Sequence, residues 1–90
     1  MLGSKEFQEI AKRVVVEMAH EGLDPTDNGE LKIDDVYVTW FGFILGNMKA
    51  LVSTSLPDGK YYEVTYNKEK KEIYADCYVK THQKVVTVEL

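Results

Sequence analysis

The chain is poor in the residues from which most catalytic centres and secreted scaffolds are built. It holds one cysteine, Cys77, one tryptophan, two histidines and two prolines in 90 residues. A single cysteine cannot close an internal disulfide, which excludes a disulfide framework and suits a reducing compartment. No apolar run reaches the ~18 residues of a membrane span, and the first residues lack the basic-then-apolar order of a secretory signal. A cytoplasmic protein without a membrane segment is expected.

Catalytic signatures are equally scarce. His20, His82 and Cys77 stand at spacings that match neither a zinc site nor a nucleophile with its base. There is no phosphate-cradling glycine loop and no meaningful pairing of carboxylates. The expectation is a protein that is not an enzyme and needs no cofactor.

What the chain does have is 44% hydrophobic and 11% aromatic residues, enough for a folded core. Ninety residues make one domain, residues 1–90. So short a chain buries only about 60% of the surface exposed by its unfolded form, so its stability is marginal unless something adds to it. The net charge is −4 and the isoelectric point about 5.1, which disfavours nucleic acid. The acids Glu17, Glu21, Asp24, Asp27, Glu30, Asp34 and Asp35 cluster early. Lys68, Lys70, Lys71, Lys80 and Lys84 come late. Two solvated segments of opposite sign account for this.

Ser4 is placed to cap a helix in which Phe7, Ile10, Ala11, Val14 and Met18 recur at helical spacing, with Val15 and Ala19 widening the stripe. Gly22 is placed to stop the helix, with Pro25 beyond it. From Asp34 to Asn67 the sequence reads as two successive β-hairpins. Gly46-Asn47 is a two-residue turn signal, and it sets Leu45 opposite Met48, Phe43 opposite Ala50 and Phe41 opposite Val52. Pro57-Asp58-Gly59 fits a type I turn followed by a left-handed glycine, setting Thr54 opposite Tyr62 and Val52 opposite Val64. Both turns put Phe41, Phe43, Leu45, Ala50, Val52, Val64 and Tyr66 on one face, which a one-residue slip would scatter.

Beyond the charged turn at residues 67–71, Ile73, Ala75, Cys77 and Val79 alternate with polar neighbours as in a fourth strand, with a short helix as the alternative. Cys77 would then point inward as a small hydrophobe. Val85, Val86 and Val88 suggest a final strand. The fold class expected is α+β: an N-terminal helix packed on a four- to five-stranded antiparallel meander.

The opposite sheet face collects Val36, Val38, Trp40, Ile44, Leu51, Tyr61, Tyr74 and Tyr78 among a few polar residues. A face that simply met water would be more polar. Trp and Tyr carry interface energy because each joins a large apolar body to a polar handle. Val38, Trp40, Leu51, Tyr61 and Tyr78 are therefore the expected protein-binding residues. The competing reading has the C-terminal residues folding over this face. Bases could stack on such aromatics, but Glu63 and Asp76 share the face and oppose phosphate.

The acidic loop 24–35 partly matches a calcium loop. Asp24, Thr26 and Asn28 fall at oxygen-ligand positions, Gly29 at the turn and Asp35 at the closing carboxylate. Pro25 and Lys32 break the pattern, and a strand follows where a helix should. An ordinary connecting loop explains the same residues.

Asp34-Asp35-Val36-Tyr37-Val38 with Trp40-Phe41, then Lys49-Ala50-Leu51-Val52-Ser53-Thr54, Leu56-Pro57-Asp58-Gly59 and Tyr61-Tyr62-Glu63-Val64-Thr65-Tyr66-Asn67, resemble a family of small uncharacterised proteins encoded by phages and prophages of Gram-positive bacteria. The likeness covers about the central half of the chain. It implies a mobile-element origin and no particular activity. The function expected is that of a non-enzymatic accessory protein that binds a host protein, a phage protein or itself. The alternatives are a small self-assembling structural protein, or a calcium- or ligand-binding module using the loop 24–35.

Overall fold

A computed structural model describes residues 2–21, 31–57 and 59–89. Helix α1 (Ser4–Glu21) is followed by a short 3-10 turn, Ile33–Asp35, and by four strands: β1 (Val36–Ile44), β2 (Asn47–Thr54), β3 (Lys60–Asn67) and β4 (Glu72–Val79). The strands pair in chain order as an antiparallel meander, and α1 lies on one face of the sheet. This is the α+β arrangement read from the sequence, with four strands.

The Phe7 N–H donates to the Gly3 carbonyl at 2.9 Å. The helical ladder therefore begins at Gly3, and Ser4 is the first residue inside the helix rather than its cap. Phe7, Ala11, Val15 and Ala19 are the buried residues of α1. Their spacing of four puts them on one stripe, with Val16 and Met18 packed at its flank. The two alanines in that stripe bring the helix axis close to the sheet. The Phe7 ring meets the Phe41 ring at 6.1 Å between centroids. Burial of this face offsets the side-chain entropy lost by Val14-Val15-Val16 in a helix. At the far end His20 Nε2 donates to the Leu31 carbonyl at 2.9 Å, tying the returning chain to the end of the helix.

The inner sheet face supplies Val36, Met48, Ala50, Val52, Tyr62 and Val64 to the core, with Val38, Phe41, Tyr66, Ile73 and Ala75 packed around them. The expected face for Ala50, Val52 and Val64 holds, although both hairpin registers differ from expectation by two residues. The first turn is Leu45-Gly46, with φ of 53° and 81°, and Phe43 therefore faces Met48 and Phe41 faces Ala50. Positive φ at both central residues is the type I′ geometry, whose twist matches the flanking strands. In the second hairpin Val52 faces Tyr62 and Ala50 faces Val64. Gly59 is left-handed at φ 70° as the turn chemistry requires, while Asp58 lies outside the described residues. A shift of two keeps every side chain on its face, so the hydrophobic pattern cannot choose between these registers.

Four expectations are corrected. Val38 belongs to the core side: the β1–β2 register shifts between Val38 and Trp40, so Val36 and Val38 face Thr54 and Val52 inward while Trp40 faces Leu51 outward. Leu45 sits on the turn at 97% exposure rather than on the inner face. Residues 80–89 form no strand, and Val85, Val86 and Val88 are exposed. Segment 72–79 is a strand, not a helix, and Cys77 on it is exposed on the edge strand although its cross-strand partner Tyr62 belongs to the core. Gly22 and Pro25, read as the helix stop, lie outside the described residues.

Candidate protein-binding face

The outer face is assembled by strand alternation and by one bulge. Thr39 is the extra residue of β1, and its hydroxyl donates to the Leu51 carbonyl at 3.2 Å, fastening the bulge to β2. The bulge reverses which residues of β1 face outward, which is what bulges do beside functional surfaces. Trp40 then stands beside Leu51. A Cβ built on Gly42 would lie 2.6 Å from Trp40 Cζ2, so the indole lies across the space above that glycine.

On the other half of the face Tyr61 and Tyr78 are cross-strand partners, their rings stacked at 5.2 Å and 18°. Such a pair adds roughly 0.5–1.5 kcal/mol beyond the area it buries and holds both rings in fixed orientation. Trp40, Tyr61 and Tyr78 nonetheless remain 43%, 42% and 40% exposed. Of the five residues expected to bind protein, Trp40, Leu51, Tyr61 and Tyr78 share the outer face, and Val38 does not. Residues 80–89 are themselves exposed, and Trp40 is not covered by them.

The charges of this face lie between the aromatic groups. Lys49 forms an ion pair with Glu63, both partly sheltered. Glu63 faces Asp76 across β3 and β4, so one carboxylate is paired and its neighbour adds negative charge. Glu63 is the main cause that holds the Tyr78 phenol above its ordinary pKa, aided by desolvation and Asp76. Tyr74 donates its hydroxyl to Glu72 Oε2 at 2.8 Å, and that bond pushes its pKa up as well. Each phenol stays a neutral donor, which is the form an interface uses.

Sequence reasoning missed one other feature. A groove of about 590 Å³ opens on the inner side near the start of α1, lined by Leu2, Phe43, Met48 and Tyr66 with Lys68 and Lys71. Its size is within the range of small-molecule pockets. It lies at the opposite end of the helix from the His20–Leu31 contact. Asp24, Thr26, Asn28 and Gly29 of the calcium reading lie outside the described residues. Asp35 accepts the Lys32 N–H at 3.0 Å, so its carboxylate closes the 3-10 turn. Among the described residues no three His, Cys, Asp or Glu side chains gather to hold a metal ion.

A family of unknown function, DUF6275, matches residues 8–88. The chain belongs to this family. The match takes in nearly all of α1, every strand and the segment after β4, so the aromatic face lies wholly within the DUF6275 unit. No curated protein and no solved structure matches the chain. No helix among the described residues is long and apolar enough to cross a membrane.

Proposed function

We propose that this DUF6275 protein is a non-enzymatic accessory protein that works by binding another protein through its outer sheet face. Trp40, Leu51, Tyr61 and Tyr78 are the contact residues. The observation that carries the reading is the stacked Tyr61–Tyr78 pair and Trp40 standing exposed on one sheet face, with Leu51 half-buried beside Trp40. Trp and Tyr are the residue types that carry most interface energy, and rigid aromatic residues lose little entropy on binding. The carboxylates Glu63 and Asp76 on the same face argue for protein over nucleic acid.

The partner is a host protein, a phage protein or a second copy of the chain. A phage or prophage origin rests on the sequence likeness of the central strands, and a cytoplasmic site of action follows from it and from the lone cysteine. The experiment is affinity capture from a Gram-positive host with the parent and a Tyr61→Ala, Tyr78→Ala variant of equal melting temperature. A discrete partner bound by the parent and lost by the variant supports the reading. Equal retention by both refutes it.

A further inference from the structure

The segment after β4 has the composition of a strand and pairs with no strand among the described residues. The Lys80 N–H donates to the Gly59 carbonyl at 3.0 Å, and among the described residues no backbone hydrogen bond follows it. Within the segment the Lys80 Nζ donates to Gln83 Oε1 at 2.9 Å. Every residue from Lys80 to Glu89 is exposed, with Val85, Val86 and Val88 at 81%, 67% and 70%. Lys-Val-Val-Thr-Val-Glu is β-branched in four of six positions, a composition that favours a pleated, half-buried strand. The radius of gyration is 15.2 Å, against about 12 Å for a compact domain of this length.

The sheet offers a place for this arm. In the order β1-β2-β3-β4 both β1 and β4 are open edges. β4 carries Glu72 and Asp76, charges of the kind that discourage edge pairing. β1 has nine residues with no charge and no proline, and Tyr37, Trp40, Phe43 and Ile44 on it are exposed. Its one protective device is the bulge at Thr39, which leaves Trp40–Ile44 as a regular, uncharged edge. The arm leaves from β4, at the opposite edge of the sheet from β1. A second copy can supply to β1 what the chain's own arm is badly placed to give.

We infer that residues 84–89 of one copy add as a fifth strand to the Trp40–Ile44 edge of a second copy, reciprocally. Each exchange satisfies open backbone groups of β1 and buries Val86 or Val85 against Phe43 or Ile44. Reciprocity closes the assembly at two, since one-way addition would propagate into a fibre. This self-association uses the backbone edge of β1 and leaves Tyr61 and Tyr78 free, so it shares only Trp40 with the outer-face reading. The family match runs to residue 88, so the arm is part of the unit that defines DUF6275.

The test is light-scattering mass across a dilution series for four proteins: the parent, a truncation after Val79, Thr87→Pro, and Ile44→Lys. Thr87→Pro removes a ladder donor without shortening the chain, and circular dichroism and melting check the fold of each. The expected result is a dimeric parent and three folded monomers, with the dimer dissociation constant raised at least tenfold in each variant. A parent that is monomeric at every concentration, or a dimer that survives truncation, overturns the proposal. Loss of the dimer in the two arm variants but not in Ile44→Lys overturns the assignment to β1. Open polymers in place of dimers overturn the reciprocal closure.

Discussion

The indole of Trp40 occupies the volume that a side chain on Gly42 would need, with Cζ2 and Cη2 at 2.6 Å and 2.7 Å from an added Cβ. The two residues lie two apart on β1 and face the same way, so the glycine is a seat for the ring. Glycine here serves close approach rather than backbone freedom. Gly42→Ala should push the indole off the strand and expose it further. Trp40 is the chain's one tryptophan, so a red shift of its emission reports the displacement directly. Destabilisation of about 1 kcal/mol is expected alongside. An unchanged spectrum would mean the ring does not rest there.

The first hairpin carries a conformational penalty that can be removed. Leu45 has φ of 53° and 97% exposure, so it adopts a left-handed backbone without burial to offset the strain. That conformation costs an L-residue with a bulky side chain about 1–2 kcal/mol. Leu45→Asn creates Asn-Gly, the favoured type I′ pair, and should raise unfolding free energy by about 1 kcal/mol in urea. A loss of stability would place Leu45 in a contact of its own.

Val52 is fully buried at the centre of the inner face, between Val38 and Tyr62. Val52→Asp would bury a carboxylate with no partner, a change worth several kcal/mol, and a domain of this size has little margin. The variant should lack a cooperative thermal transition. One that melts like the parent would move the core elsewhere.

The Tyr78 phenol offers a pH measurement. Its folded-state pKa is raised, chiefly by Glu63, so the protein holds that proton more firmly than the unfolded chain does. Any stabilisation from it is present below the ordinary tyrosine pKa and is lost as pH rises through the higher folded value. Glu63→Gln removes the largest cause and should bring the Tyr78 transition in an ultraviolet titration back toward pH 10. An unmoved transition would separate Tyr78 from Glu63.

The elements were legible because the helix stripe and the strand alternation are strong, and because Gly46 and Gly59 mark real turns. Register was not, since pairings two residues apart put the same side chains on the same face and share one hydrophobic pattern. The bulge did leave a trace. Apolar residues fall at Val36 and Val38, then at Phe41 and Phe43, a change of phase that one extra residue at Thr39 explains. That phase change is why Val38 was assigned to the wrong face. The valines of the arm read as a strand because their composition is that of one, while pairing depends on a neighbour that sequence does not supply. The groove near Leu2 and Tyr66 had no signal, since it joins residues distant along the chain.

The central claim is that the exposed aromatic face contacts protein. Its most direct measurement is the amount of host-derived protein retained per molecule of parent and of Tyr61→Ala, Tyr78→Ala under identical wash. The parent should retain a partner in near-stoichiometric amount, and the equally stable variant less than a tenth as much. A parent that holds no protein, or a variant that holds as much as the parent, would contradict the account.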